Sequence, residues 1–217
     1  MTISSNFLAL HWVNVVILAE FHNPSILNPD FLKGKKVVPQ DWQVAENLIT
    51  PAFASVKFVA GVSFFVDRER LEIKQECGGD FLENYYIYDL ASKYVKLLPY
   101  VRYTTMGLNW QVSIEKEEPE KYITNTFVNC KPFRDSRLDI LSSSVNISFE
   151  VRNTLCNLNL VPGRAKVASR EYSAVIANVN FHHKGPFSHQ EINRRVKQWR
   201  AREDYIRKML PKLLTEV

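Results

Sequence analysis

Three histidines lie close together in the C-terminal part of the chain, His182, His183 and His189, and imidazole side chains can bind metals or transfer protons. Two of them with a nearby carboxylate could hold a metal ion, because zinc sites use imidazole and carboxylate ligands. Adjacent residues of a strand point to opposite faces, however, so His182 and His183 do not share one metal while the strand persists. We therefore expect no metal and no cofactor, and interpret these histidines as a strand end and a helix start.

The cysteines and carboxylates show no catalytic pattern. Cys77, Cys130 and Cys156 are odd in number, far apart and outside any CxxC motif, which argues against a disulfide framework and favours a reducing compartment. Carboxylates on a predicted hairpin alternate with basic residues, which favours charge pairing on a solvated face over acid–base chemistry: Asp67, Glu69, Glu72 and Glu76. No GxGxxG, phosphate-loop, HExxH or GxSxG motif occurs. The sequence predicts no catalytic residue and makes an enzyme the less favoured class.

Basic residues are concentrated at the C-terminal end of the chain. From His189 to Val217 there are eight Lys and Arg against four Asp and Glu, within a net charge of +5 for all 217 residues. Seven of them surround a predicted helix outside its apolar seam, where they could neutralise phosphates of a nucleic acid: Arg194, Arg195, Lys197, Arg200, Arg202, Arg207 and Lys208. The alternative is a solvated helix face whose arginine stems cover apolar surface.

Two apolar groups could contact a protein partner. One lies in the proline-bearing segment His22 to Trp42, whose Asn-Pro turns would hold an apolar patch in place, and the other lies on the C-terminal helix seam. The candidate partner-binding residues are Ile26, Leu27, Phe31, Leu32, Trp42, Trp199 and Ile206. The alternative, favoured for the loop, is that these side chains pack on the protein's own core.

The first half of the chain predicts strands and one helix. Phe7 to Phe21 reads as a buried strand, His22 to Trp42 as an ordered loop, and Ser55 to Gln75 as three antiparallel strands in a meander. Asp80 with Glu83 has the spacing of a helix capping box, and an apolar stripe predicts a helix from there to about Leu98, before Pro99. Leu108 to Ile114 alternates as a half-buried strand.

The second half repeats this order of a meander and then a helix. Pro119 begins a short helix with Ile123 and Phe127 inside, and alternation predicts three strands, at Val145 to Val151, Cys156 to Leu160 and Val175 to Phe181. Gly185-Pro186 is expected to end the sheet. A long amphipathic helix then starts at Ser188 or His189 and is expected to bend near Pro211. Its apolar seam comprises Ile192, Val196, Trp199, Ile206, Leu210 and Leu213, with Glu203 at the one polar seam position.

These elements predict an α+β fold in which antiparallel strand meanders form one or two sheets, covered on one side by the central helix and the C-terminal helix. We expect one domain over 1–217, with two intertwined halves, 1–115 and 116–217, as the alternative. The apolar stretch from Phe7 to Ala19 lacks a preceding Lys or Arg and is shorter than a membrane span, so we expect neither a signal peptide nor membrane insertion. The expected location is cytoplasmic.

Two segments carry a resemblance to known families. HNPSILNPDFLKGKKVVPQDW with the following GVSFFV, and KYVKLLPYVRYTTMGLNWQVSI, resemble uncharacterised bacterial proteins that share an Asn-Pro-Ser-Ile-Leu-Asn-Pro segment. The chain is more distantly similar to a sporadically distributed bacterial and archaeal family with an arginine-containing strand and a long C-terminal helix, through Arg102, Gly107 and Leu108. The patchy distribution of that family implies an accessory role alongside mobile or defence genes, and the resemblance brings no catalytic residues.

Together these features favour a non-catalytic binding or scaffold module that acts through protein–protein interaction, as a homodimer (a homo-oligomer) or a subunit of a larger complex. The chain is rich in the aromatic residues that anchor interfaces, with 13 Phe, 9 Tyr and 4 Trp. The alternative is a nucleic-acid-binding accessory protein that uses the basic C-terminal helix.

Overall fold

A computed structural model describes residues 8–215, which form a nine-stranded antiparallel sheet whose main helices pack on one face. The strands are β1 Leu8–Ala19, β2 Val44–Ile49, β3 Phe53–Phe58, β4 Val62–Asp67, β5 Arg70–Gly79, β6 Tyr103–Glu115, β7 Val145–Glu150, β8 Leu155–Val167 and β9 Arg170–Phe187. The helices are α1 Pro29–Gly34, α2 Tyr86–Leu97, α3 Pro119–Phe127, α4 Lys131–Asp135, α5 His189–Val196 and α6 Trp199–Thr215. The predicted α+β class is confirmed.

The strand order across the sheet is β2-β3-β4-β5-β1-β6-β9-β8-β7. The two long strands β1 and β6 lie side by side at the centre, and each pairs on its other side with the last strand of a meander, β5 or β9. A helix follows each meander, so the chain runs twice through strand, meander and helix. In this topology β6 opens the second repeat, whereas the sequence boundary after residue 115 places β6 in the first half.

Strict alternation builds the core on one face of the sheet. Val13, Val15 and Ile17 of β1 are fully buried, as are Leu108 and Trp110 of the neighbouring β6. The same alternation continues outward through β4, β5, β8 and β9, whose inward residues join one core cluster with the helices. The opposite face carries the polar partners of these residues and is free of helices within residues 8–215.

Helix α2 carries the predicted apolar stripe, with Ile87, Leu90, Ala91 and Tyr94 buried, but it begins later than expected. The predicted capping box at Asp80 and Glu83 is wrong, because the helix starts at Tyr86. The Tyr86 backbone N–H donates to Oε1 of Gln75 at 2.8 Å, so a side chain from β5 satisfies this helix end.

The segment from His22 to Trp42 contains helical turns where only a loop was predicted. Asn23 accepts a hydrogen bond at the start of a 3₁₀ turn, Pro24–Ile26, and Asn28 does the same at the start of α1. Each proline follows its capping asparagine directly. In an Asn-Pro pair the asparagine can therefore act as the N-cap and the proline as the first helical residue, so the pair marks the start of a helix.

The C-terminal amphipathic helix is confirmed, and it consists of two consecutive helices, α5 and α6. Ser188 and Glu191 form a capping box at the start of α5. The helix is interrupted at Lys197 and Gln198, where the Lys197 N–H bonds to carbonyls of the preceding turn, and α6 then continues through Pro211. Pro211 lies inside α6, and the bend near it stays a prediction. Strand β9 runs through Gly185-Pro186 and ends at Phe187, one residue beyond the predicted end of the sheet.

Strand β2 is the element that alternation missed, and all six of its residues are exposed. It forms one edge of the sheet beyond the helices, so no buried face imposes a period-two pattern on it. Within residues 8–215, no helix combines the length and apolar character that crossing a membrane requires.

Candidate functional site

The apolar residues of the proline-bearing segment face the protein's own core. Leu27 and Leu32 are fully buried, and Ile26 is half-buried. The ring centroid of Phe31 lies 6.2 Å from that of Tyr94 on α2. The ring centroid of Trp42 lies 5.4 Å from those of Phe58 and Tyr86. In this conformation the segment is pinned over the core, which was the favoured alternative to a partner surface.

The seam residues Trp199 and Ile206 also pack internally. Ile206 is fully buried, and Trp199 stacks on Tyr88 of α2 with ring centroids 4.7 Å apart. Tyr85 meets the same indole edge-on at 5.1 Å. The seam therefore joins α6 to α2 and leaves no apolar stripe of these residues for a partner helix.

The seven basic residues of the C-terminal helix have different environments. Arg194 and Lys197 are exposed on α5 and at its end. Arg200 donates to the Glu83 carbonyl and the Asn84 side chain at 2.9 and 3.0 Å, and the Arg207 guanidinium lies 5.0 Å from the Phe81 ring centre. These two arginines brace α6 against the segment before α2, so the seven do not form one free basic face.

The other three, Arg195, Arg202 and Lys208, meet at a cavity of about 590 Å³. The turn between β7 and β8 closes its far side and adds a fourth cation, Arg152. Arg152 and Asn153 both have positive φ, 48° and 59°, as the two central residues of a tight hairpin turn do. One carboxylate, that of Asp204, lines the cavity. The cavity thus carries four cations against one carboxylate.

Arg202 is the most deeply placed of these cations, with only 6% of the residue exposed. Its guanidinium donates to the Val151 carbonyl at 3.1 Å and to the Thr154 hydroxyl at 2.6 Å, and lies 5.0 Å from the centre of the Phe181 ring. All these partners are neutral. Burial, and next the charge of Arg152, lower the pKa of Arg202.

His183 lies behind this cavity on the core face of β9, and 4% of it is exposed. Burial, followed by the charges of Arg195 and Arg202, lowers the pKa of its imidazole to about 4. Nη1 of Arg195 lies 3.1 Å from Nδ1, and a guanidinium can only donate, so the neutral ring carries its proton on Nε2. His182 lies on the opposite face of the strand, as alternation predicts.

A second ionisable group, Glu203, is buried between α6 and the core, with 4% exposed. Burial raises the pKa of its carboxyl, and the neighbouring polar groups of Tyr85 and Trp110 offset part of that rise. In the sequence Glu203 is the one polar position of the apolar seam, but the sequence does not show that its carboxyl is buried.

Rows of polar side chains cross the helix-free face of the sheet. In the first row Ser148 donates to Asn157 at 2.7 Å, Asn157 to Asn180 at 3.5 Å, Asn180 to Asn109, Asn109 to Asn14 at 2.6 Å, and Asn14 to Glu72 at 2.9 Å. In the second row Gln111 donates to Asn178 at 3.0 Å, Asn178 to Asn159 at 3.3 Å and Asn159 to Asn146 at 2.7 Å. We call these the carboxamide rows.

Gly107 of β6 leaves space for the first row. A Cβ at this position would lie 2.9 Å from Nδ2 of Asn180 and 3.3 Å from Nδ2 of Asn109. The absence of a side chain at Gly107 therefore lets two asparagines of neighbouring strands meet.

Sequence reasoning missed Arg152, the β2 edge and the carboxamide rows. The rows had a visible signal, because Asn and Gln recur two residues apart at 109 and 111, 157 and 159, and 178 and 180. Arg152 had none, since its approach to α6 depends on the sheet order. Within residues 8–215, no group of three or more His, Cys, Asp or Glu side chains is arranged to hold a metal ion.

Comparisons with known proteins identify no relative. No family model matches the sequence, and no curated protein is significantly similar to it. The resemblance to bacterial proteins with the Asn-Pro-Ser-Ile-Leu-Asn-Pro segment therefore stays a prediction.

Proposed function

We propose that this protein is a non-catalytic binding module that acts through protein–protein interaction, with the free edge of β2 as its interface. The observation that carries the proposal is the exposure of this edge strand. Val44, Leu48 and Ile49 are 38%, 53% and 47% exposed. A second copy of the chain is the first partner to consider, because antiparallel pairing of two β2 edges continues both sheets.

The edge has little of the protection that keeps monomeric sheets apart. Such edges usually carry lysine, proline or inward-pointing charges, which oppose strand addition. The one charged residue in β2 is Glu46, and its carboxylate lies 3.8 Å from Nζ of Lys57 on the neighbouring strand. The unpaired backbone of β2 is thus accessible to another strand.

The phase of the β2–β3 ladder identifies the backbone groups that point outward. The Thr50 N–H donates to the Phe53 carbonyl at 2.9 Å, which makes these two residues a hydrogen-bonded pair. Such pairs alternate with non-bonded pairs along an antiparallel ladder. The N–H and C=O groups of Asn47 and Ile49 therefore face the free edge.

This phase permits a direct test by sedimentation velocity over a range of protein concentrations. We expect a dimer of the wild type and a monomer of Asn47→Pro, because proline removes an outward N–H without removing a β2–β3 hydrogen bond. The double variant Leu48→Lys/Ile49→Lys should also be monomeric. Leu138→Lys/Leu141→Lys, which places the same charges on other exposed leucines, should remain a dimer. A wild type that stays monomeric throughout, or an Asn47→Pro dimer, contradicts self-association through β2.

Affinity purification from the native host, with and without nuclease, extends the test to other proteins. Partners that survive nuclease and are lost with Asn47→Pro support a subunit role in a larger complex, such as an accessory of a mobile or defence system. Equal recovery with both proteins contradicts a role for the edge. We place this function in the cytoplasm, because Cys77, Cys130 and Cys156 are free thiols, which suits a reducing compartment.

Nucleic-acid binding by the C-terminal helix is the alternative proposal, and the exposed Arg194 and Lys197 support it. It is the weaker one because Arg200 and Arg207 already contact the segment before α2 and Arg202 is buried. Binding of this kind should weaken steeply with added salt and fall in Arg194→Ala/Lys197→Ala for all sequences alike. Binding that is absent, or that does not respond to salt, contradicts it.

A further inference from the structure

We propose that the cavity between the β7–β8 turn and α5–α6 is a binding site for a phosphate group. Four cations line it, Arg152, Arg195, Arg202 and Lys208, against the single carboxylate of Asp204. The cavity lies towards the β7 edge of the sheet, opposite the β2 edge. The site is therefore independent of the proposed protein interface.

The charge of Arg202 is buried without an anion beside it. No carboxylate of residues 8–214 lies within 4.0 Å of this guanidinium, and its hydrogen-bond partners are carbonyl, hydroxyl and amide groups. Arg152, Arg195 and Lys208 make no ion pair with the same residues either. A buried charge is costly unless it is paired, so a guanidinium held in this way is suited to an incoming anion.

Three buried hydrogen-bond donors near the cavity have no acceptor in the part of the protein that the structure describes. Nε of Arg202 and Nε of Arg195 have no partner among the described residues. Nε2 of His183, which carries the ring proton, has none either. These three nitrogens are themselves buried, so it is the four lining cations that face a ligand in the cavity, and the unpaired donors add to the cost of leaving Arg195 and Arg202 without an anion.

The positive charge of the cavity suits a phosphate group better than a single carboxylate. A phosphate group offers several acceptor oxygens and more than one negative charge, and guanidinium groups bind it in a bidentate manner. One carboxylate would leave most of the positive charge of this cavity unbalanced. The volume of about 590 Å³ falls within the range for small-molecule sites and exceeds what a single phosphate needs. The cavity thus has room for a phosphate carried by a larger molecule, either a small phosphorylated compound or a nucleic-acid backbone.

Calorimetric titration with pyrophosphate at physiological ionic strength tests the site. The variant Arg152→Ala/Lys208→Ala removes two exposed cations of the cavity, and Lys35→Ala/Lys96→Ala removes two exposed cations that do not line it. We expect the first variant to bind pyrophosphate at least tenfold more weakly than the wild type, and the second to bind within about twofold of it. No binding by the wild type, or the same loss in both variants, overturns the proposal.

Displacement distinguishes the two sources of the phosphate. If a short single-stranded oligonucleotide displaces pyrophosphate from the wild type, the site takes a nucleic-acid phosphate. If a nucleoside triphosphate displaces it and the oligonucleotide does not, the site takes a small phosphorylated molecule. Arg202→Gln extends the test, because it should abolish pyrophosphate binding while circular dichroism reports that the protein stays folded. Binding that persists in folded Arg202→Gln contradicts the role given to Arg202.

Discussion

Single residues show where this protein tolerates unfavourable burial. Glu203 is the sharpest case, because a carboxyl occupies an otherwise apolar seam and is 4% exposed. Its pKa is raised above the ordinary value of 4.5 chiefly by burial, since a charged carboxylate is poorly solvated there. Ionisation of Glu203 therefore opposes folding.

The substitution Glu203→Gln should stabilise the protein at pH 7, by about 1 kcal/mol. A carboxyl whose pKa is raised by folding is protonated in both states below its ordinary pKa, so the penalty is absent there and grows as pH rises through the folded-state pKa. The gain in melting temperature should thus be clear at neutral pH and vanish near pH 4. The exposed neighbour serves as control, and Asp204→Asn should change little. A destabilised Glu203→Gln at pH 7 would mean that the interactions of the carboxylate with the polar groups around it outweigh the cost of its burial.

Sequence reasoning anticipated residues of this kind only in part. The helical period exposed Glu203 as out of place, because a local pattern is enough to define a seam. Arg152 gave no signal, because its position at the cavity depends on a turn and a helix that are distant in sequence and adjacent only through the order β9-β8-β7. Likewise, the helical periodicity of the sequence predicts that Arg202 lies on the surface, whereas the packing of α6 on the β7–β8 turn buries it.

Among elements, the carboxamide rows make a testable claim about the helix-free face. Asn109→Ala leaves Oδ1 of Asn14 and Nδ2 of Asn180 on both sides without their partner. We expect a loss of about 1–3 kcal/mol in urea unfolding, because partly buried polar groups lose hydrogen bonds that water replaces poorly. Asn146→Ala at the exposed end of the second row should cost less than half as much. Equal losses at both positions would show that the rows do not act as connected networks.

The same elements show what alternation can and cannot predict. It located β3 to β9, because each has one buried face that fixes the period, but it predicted β8 and β9 several residues too short. It missed β2, which has no buried face, and misplaced the start of α2, because the acceptor at that helix end comes from Gln75 on another strand. The break between α5 and α6 was not predicted, because no proline or glycine marks it in the sequence and proline is only one of several causes of an interrupted helix.

On the scale of the whole molecule, the two repeats depend on each other. Strands β1 and β6 pair along most of their length, and the stack of Trp199 on Tyr88 joins α6 of the second repeat to α2 of the first. The fragments 1–101 and 102–217 should therefore each fail to fold alone, since each loses a central strand pairing and half of the helix contacts. Circular dichroism during urea titration of each fragment, and of the two mixed, checks this. Cooperative unfolding of either fragment alone would show independent halves, whereas recovery of structure only on mixing supports one domain over 1–217.

The first carboxamide row has a direction that one residue determines. Carboxylate oxygens of Glu72 can only accept, so Asn14 must turn its amino group towards them, which leaves its carbonyl oxygen for the Asn109 amide. The same constraint passes to Asn180 and Asn157. Every amide therefore has one permitted orientation, and reversing any one of them would oppose two donors or two acceptors. The carboxylate of Glu72, which also pairs with Arg70, thus determines the orientation of amide side chains as far away as Asn157 on β8. In Glu72→Leu this constraint is lost, and all the amides of the row could reverse together.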